Sequence, residues 1–209
     1  MKQYKHLVFD IDGTILDTAD VNMVSLQRAL LELRGEKKEL EDLAFSFGIP
    51  GTSTMAILGF PDPQAALNVW IRHYVECGEE LGIRLFPGMG EVLEALQKTD
   101  AFLGIITSKQ KDEYDRDFEK RDLKKYFHCA VTSSDTERGK PYPDPMLEYM
   151  KRTGARPEET LYIGDSVYDM DSARAAGVDH ALALWGCLNP EGIASTWRLE
   201  RVEEILKFV

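Results

Sequence analysis

The stretch His6–Thr14, HLVFDIDGT, ends an apolar run in two carboxylates, Asp10 and Asp12, which straddle Ile11 and are followed at once by Gly13. An uncompensated buried charge costs several kcal/mol to desolvate, so a strand that ends this way needs a partner for its acids. Three further segments carry matching chemistry: Thr107-Ser108-Lys109, Arg138-Gly139-Lys140-Pro141, and Gly164-Asp165-Ser166 with Asp169 one helical turn on. Together they supply carboxylate oxygens, a pair of hydroxyls and an ammonium. Such a donor set suits Mg2+, which takes oxygen ligands octahedrally, keeps several waters and draws only one or two carboxylates from a protein. Asp10 and Asp165 are the candidate carboxylate ligands, and Asp12 lends its backbone carbonyl while its side chain points elsewhere. Gly13 marks a sharp backbone turn beside the ligand.

The charges add a constraint. Asp10, Asp12, Asp165 and Asp169, set against Lys140 and Mg2+, leave a site that is still net negative when a phosphate dianion enters. One acid is therefore expected to be protonated for part of a cycle, because like charges raise a carboxyl pKa. Asp12, whose side chain is free of the metal, is the candidate. A carboxyl group that alternates between acid and base is what phosphoester cleavage needs.

These residues converge only if the right elements carry them. After the first strand, DTADVNMVSLQRALLELRG predicts an amphipathic helix with Met23, Leu26, Leu30 and Leu33 on one face and Gly35 as its stop. KELEDLAFSFG and STMAILG predict short helices. Asp62-Pro63 has the form of an N-cap and first-turn proline, opening a helix with Leu67, Trp70, Ile71, Tyr74 and Val75 on its buried side. Residues 16–87 are expected to form an all-helical module that ends at the Phe86-Pro87-Gly88 turn. From Gly88 the pattern alternates: helix GEVLEALQKTD and strand FLGIITS, helix EYDRDFEKRDLKKYF and strand CAVTS, helix PDPMLEYMKRTG and strand TLYIGD, helix DMDSARAAG and strand HALALWG. With HLVFDI that makes five main strands of a doubly wound parallel α/β sheet. In such a sheet ligands bind beyond the carboxyl ends of the strands, where Asp10, Thr107-Ser108, the Lys140 connection and Asp165 all fall.

Composition narrows the partners. Apolar content of 44% and charged content of 29% are those of an ordinary globular chain, which argues against disorder and fibrous repeats. No run approaches the ~18 apolar residues of a membrane span, and the N-terminal apolar run is too short for a signal peptide, so a cytoplasmic location is expected. Cys77, Cys129 and Cys187 show neither disulfide nor zinc spacing and are expected to be reduced and packed. A net charge of -11 disfavours nucleic acid and anionic lipid, and requires local positive charge at any phosphate site.

The set Asp10-Ile-Asp12-Gly-Thr, Thr107-Ser108, Lys140-Pro141 and Gly164-Asp165-Ser166-Val-Tyr-Asp169 resembles the four ordered motifs of the haloacid dehalogenase-like hydrolases. Phe86-Pro87-Gly88, KPYPDP and DMDSARAAGV extend the resemblance to the branch of phosphoglycolate phosphatase and β-phosphoglucomutase. It implies a Rossmann-like core, residues 1–15 and 88–209, with a helical cap at 16–87. It also implies a Mg2+-dependent phosphatase of a small phosphorylated metabolite. Asp10 would be the nucleophile that forms an aspartyl-phosphate, and Asp12 the acid and base. Thr107, Ser108 and Lys140 would bind phosphate; Asp165 would fix the metal, and Asp169 would orient a water or Lys140. The β-phosphoglucomutase group presents a cap arginine to a second phosphate. Here the loop Ile49–Thr54 has no basic residue, and none occurs between Lys38 and Arg72, which favours a hydrolase over a mutase. Pyrophosphatase activity and a non-catalytic module that binds phosphorylated ligands are the alternatives.

Other features have plainer readings. A calcium loop beginning at Asp10 would need acids or amides where Thr14 and Val21 stand. Gly88-Met89-Gly90 lacks the third glycine and preceding strand of a dinucleotide site. Lys109 and Lys111 are expected on the surface, and Trp70 and Tyr74 in the core. His6, His73, His128 and His180 have no ligand spacing, while Asp17 either caps the first helix or faces the substrate.

Overall fold

The structure, a computed structural model, describes residues 2–209. Its strands are β1 (His6–Phe9), β2 (Leu16–Asp17), β3 (Arg84–Leu85), β4 (Phe102–Ile106), β5 (Cys129–Val131), β6 (Thr160–Gly164), β7 (Asp179–Ala183) and β8 (Trp197–Leu199). Its α-helices are α1 (Ala19–Arg34), α2 (Gly51–Ile57), α3 (Pro63–Cys77), α4 (Met89–Leu96), α5 (Lys111–Glu119), α6 (Asp144–Thr153) and α7 (Val167–Ala175). Six strands form one parallel sheet in the order β5-β4-β1-β6-β7-β8.

Period-two alternation in β1 sends Leu7 and Phe9 to one face and Val8 to the other. Leu7 and Phe9 pack with Leu103, Ile163 and the α4 residues Val92 and Leu96. Val8 packs with Ile106, Tyr149 and Ala173. Burial on both faces explains why β1, β4 and β6 read as continuous apolar runs. The register places Phe9 beside Ile105 and Ile163, so the residues that follow those strands emerge at one edge. The chain winds outward from β1 through β4 to β5, then returns to β6 on its other side. That reversal at β1 opens a crevice at the carboxyl edge.

Helices α1, α2 and α3 share a separate apolar cluster of Leu26, Leu30, Leu43, Met55, Leu67 and Trp70. The chain leaves for and returns from these helices through the antiparallel pair β2–β3. Asp62 caps α3 by accepting a hydrogen bond from the Ala65 N–H at 3.0 Å, with Pro63 in the first turn. Gly35, at φ 67°, ends α1. Among the described residues no helix is long and apolar enough to cross a membrane.

Several expectations change. The sheet has a sixth strand, β8, because Trp197–Leu199 pairs with the edge of β7, and the β2–β3 pair interrupts what was read as all-helical. EYDRDFEKRDLKKYF is not one helix: α5 stops at Glu119, Asp122 takes φ 52°, and a 3-10 turn covers Lys124–Tyr126. That left-handed residue, a conformation Asp tolerates, folds the chain back so that Leu123 is buried beside Phe118. Residues Glu41–Ser46 form a 3-10 helix, and Leu33 of α1 is exposed.

Candidate active site

At the end of β1 the Asp10 N–H donates to the Ile163 carbonyl at 2.8 Å, extending the ladder by one residue. The chain then folds on itself: the N–H groups of Thr14, Ile15 and Leu16 all donate to the Ile11 carbonyl. Gly13 sits at φ 76°, and a Cβ there would run into the Asp165 carboxyl. Gly186 packs on the other side, so close that a Cβ would overlap the Gly13 carbonyl. This turn has room for backbone only, which is why glycine stands at both positions.

Around it, Asp10, Asp165 and Asp169 bring carboxylate oxygens within 4.8 Å of one another, all buried. The Lys140 ammonium lies 2.9 Å from Asp10 Oδ1 and 2.6 Å from Asp169 Oδ1. Asp169 is fully engaged. Its Oδ1 meets Lys140 and the Tyr162 hydroxyl (2.9 Å), and its Oδ2 accepts from the Ser166 N–H (3.0 Å) and hydroxyl (2.5 Å). Four neighbours match the roughly four lone-pair sites of a carboxylate. Asp165 is the opposite case, with one long hydrogen bond from Thr14 Oγ1 at 3.3 Å.

Burial first, and the nearby Asp169 and Asp10 second, push the Asp165 carboxyl well above its usual range. Burial likewise outweighs the Lys140 attraction and lifts Asp10 to about 7. Burial opposes the charge on Lys140, but Asp10 and Asp169 overcome it and hold its pKa above the ordinary lysine value. With all three carboxylates ionised, the one ammonium leaves a double negative charge in a buried site. One divalent cation with a preference for hard oxygen ligands would match that charge and complete Asp165. The residues therefore fit Mg2+. Asp12 adds no carboxylate to this group.

The Asp12 side chain enters a second cluster. Its Oδ1 accepts from Thr18 Oγ1 at 2.8 Å and lies 3.0 Å from the Lys109 ammonium. Lys109 is only 7% exposed, so the surface assignment made from sequence is wrong: the ammonium also meets Asp117 at 3.1 Å and donates to the Tyr74 hydroxyl at 3.2 Å. Asp117 in turn is held by Arg116 at 3.1 Å. The missed signal was position, two residues beyond Thr107 at a strand end, with Asp117 one α5 face away. Lys109, Asp10, Asp12 and Ser108 border one pocket of about 70 Å³, whose far wall is Trp70 and Tyr74 of α3. Those two aromatics are core residues with one face on the site.

Thr107 is buried directly after β4; its N–H donates to the Val131 carbonyl at 3.0 Å and its Oγ1 accepts from the Lys109 N–H at 3.2 Å. Ser108 borders the pocket, with its hydroxyl 3.4 Å from the Gly48 carbonyl. Tyr162, Thr14 and Trp185, which donates to the Thr14 carbonyl at 3.0 Å, support the centre and were not legible as functional. Asp17 does neither of the things expected of it: Thr18 is the N-cap of α1, and Asp17 is exposed on β2 outside the pocket. Cys77, Cys129 and Cys187 are free thiols. His6 packs on Phe102 and Tyr149, and His73 pairs with Glu32, both away from the centre.

Residues 7–183 match the family model described as haloacid dehalogenase-like hydrolase. A phosphoglycolate phosphatase of Xylella fastidiosa is 34% identical over 210 residues, which covers 95% of this chain and 88% of that protein. The pyrophosphatase PpaX of Oceanobacillus iheyensis is 26% identical over 206 residues, or 97% and 95% of the two chains. Among solved structures, a Lactobacillus plantarum protein put forward as a phosphoglycolate phosphatase aligns with a TM-score of 0.87 at 26% identity, covering 99% of this chain and 100% of that one.

Proposed function

As the chain belongs to the haloacid dehalogenase-like hydrolases, we propose that it hydrolyses a small phosphomonoester through a phosphoryl group carried transiently on Asp10. The observation that carries this reading is the buried Asp10 carboxylate at the end of β1, 2.9 Å from Lys140, beside a buried Asp165 whose side chain accepts one long hydrogen bond, from Thr14 at 3.3 Å. Mg2+ held by the Asp10 and Asp165 carboxylates and the Asp12 carbonyl would screen the repulsion between an attacking carboxylate and a phosphate dianion.

The chain's own groups do the rest. An Asp10 oxygen attacks phosphorus, the bond to the leaving oxygen breaks, and Asp12 gives that oxygen its proton. Asp12 then takes a proton from water, which attacks the aspartyl-phosphate, releases inorganic phosphate and restores the Asp10 carboxylate. Lys140 and Thr107, with the backbone amide at Ser108, hold the phosphoryl oxygens; transfer depends mainly on such placement and charge stabilisation. Asp169 fixes the Lys140 ammonium. Residues 16–87 act as a cap that closes over the crevice and excludes bulk water, consistent with a pocket of about 70 Å³ that admits only a small leaving group.

Phosphate release from a panel of phosphomonoesters, with Mg2+ and with excess EDTA, tests the reading. Release that needs Mg2+ and is abolished in a folded Asp10→Asn variant is expected. Wild-type turnover by that variant would remove Asp10 as nucleophile, and turnover in EDTA would remove the metal.

A further inference from the structure

The charge of the pocket beyond the phosphate says what the rest of the substrate can be. We propose that this enzyme selects monophosphates whose leaving group is uncharged and discriminates against a second anionic group, whether carboxylate or phosphate; this rests on the phosphatase reading of Asp10 and its neighbours.

Apart from Asp10, the acidic and basic side chains that line the pocket are Asp12, Lys109 and Glu113, with the neutral phenol of Tyr74 beside them. Lys109 is the single cation among them, and it is already committed. Its ammonium has three N–H bonds, and it has three oxygen neighbours in Asp12, Asp117 and Tyr74 at 3.0, 3.1 and 3.2 Å. Asp117 is shared with Arg116, so Asp12, Asp117, Lys109 and Arg116 balance one another and the cluster has no positive charge to spare for a ligand. Glu113 adds no positive charge in either protonation state; its Oε2 accepts from the Gln110 N–H at 2.8 Å.

Two adjoining grooves repeat the pattern among the described residues, whereas a third, which shares only Tyr74 with this pocket, holds Arg116, Lys120 and Arg121 beside Glu79 and Asp117. Beside Ser133–Gly139 the carboxylate lining is Glu113 and Glu137, and beside Asp165 it is that acid and Glu191. From the first two openings a second anion meets carboxylates and no lysine or arginine. Placing like charges together at a recognition site costs several kcal/mol unless a counter-charge is present.

What the pocket does offer is neutral. Leu67, Ile71 and the aromatic faces of Trp70 and Tyr74 form an apolar wall. Asn22 supplies hydrogen bonding: its Oδ1 accepts from Ser46 Oγ at 3.0 Å, and its amide N–H groups have no protein acceptor among the described residues. A hydroxyl-bearing carbon skeleton finds complementary groups here, and an ionised one does not.

A matched pair tests this without changing size. Phosphoglycolate and 2-hydroxyethyl phosphate differ by a carboxylate in place of a hydroxymethyl group. With Mg2+ present, kcat/KM for 2-hydroxyethyl phosphate is expected to exceed that for phosphoglycolate by at least about tenfold, and the gap to narrow as ionic strength rises. Glu113→Gln keeps the capping acceptor and removes one carboxylate. It is expected to raise the ratio of kcat/KM for phosphoglycolate to that for 2-hydroxyethyl phosphate several-fold. Equal or faster turnover of phosphoglycolate by the wild-type protein would overturn the proposal. No phosphate from either compound, nor from p-nitrophenyl phosphate, would instead overturn the phosphatase reading beneath it.

Discussion

At the residue scale, the centre is two buried ion clusters that share the turn after β1. In one, Lys140 serves Asp10 and Asp169; in the other, Lys109 serves Asp12 and Asp117. If Asp12 gives its proton to the leaving oxygen, Lys109 is the positioning residue that aims it. Lys109→Met is expected to slow turnover of alkyl phosphates at least about tenfold more than that of p-nitrophenyl phosphate, because a good leaving group needs little proton donation. Lys109→Arg, which keeps the charge, should recover part of the loss; an equal loss for both substrates would reduce Lys109 to a packing role. The acids and Lys140 were legible in the sequence because carboxylates at the end of an apolar strand are costly without partners. Lys109 was not legible, since one lysine in a polar stretch reads as surface until Asp117 and Tyr74 are seen to enclose it.

At the element scale, the alternation from Gly88 onward was legible because buried parallel strands are apolar runs, and crossover helices carry their own caps. The β8 strand escaped because three residues with one buried side chain carry no periodic signal, and the break after α5 because a left-handed Asp122 leaves none in the composition. The start of α7 ties element to site. Ser166 and Asp169 form a reciprocal capping box, so the acid that orients Lys140 is also part of the helix cap. Ser166→Ala is expected to cost about 1 kcal/mol of stability, read as a lower urea midpoint at unchanged m-value. It should lower kcat as well, because Asp169 Oδ2 loses its 2.5 Å partner. Full activity at reduced stability would separate the cap from the chemistry.

At the scale of the whole molecule, a chain of net charge -11 keeps a crowded group of buried carboxylates at the crevice on the carboxyl edge of its sheet, and that arrangement makes stability depend on pH and metal together. Without a cation, burial raises Asp10 from 3.8 to about 7 and raises Asp165 in the same direction. Between those two pKa values the folded protein therefore binds protons that the unfolded chain has released. Stability from these groups falls as pH rises from about 4 to 7, the sign that follows when the native state binds more protons. A divalent cation binds the deprotonated acids, so its stabilising effect should grow over the same window. Thermal unfolding in EDTA and in saturating Mg2+, each at pH 5.5 and pH 8, isolates this term: the difference between metal conditions cancels groups the ion does not touch. At about 100 times Kd the ion contributes ~2.7 kcal/mol, which for a chain of this length is a rise in Tm of about 5–10 °C at pH 8. The rise should be smaller at pH 5.5 and absent at both pH values in Asp165→Asn. An equal rise at the two pH values would show that the ion binds acids whose pKa the fold has left alone, and a rise that survives in Asp165→Asn would place it outside this crevice.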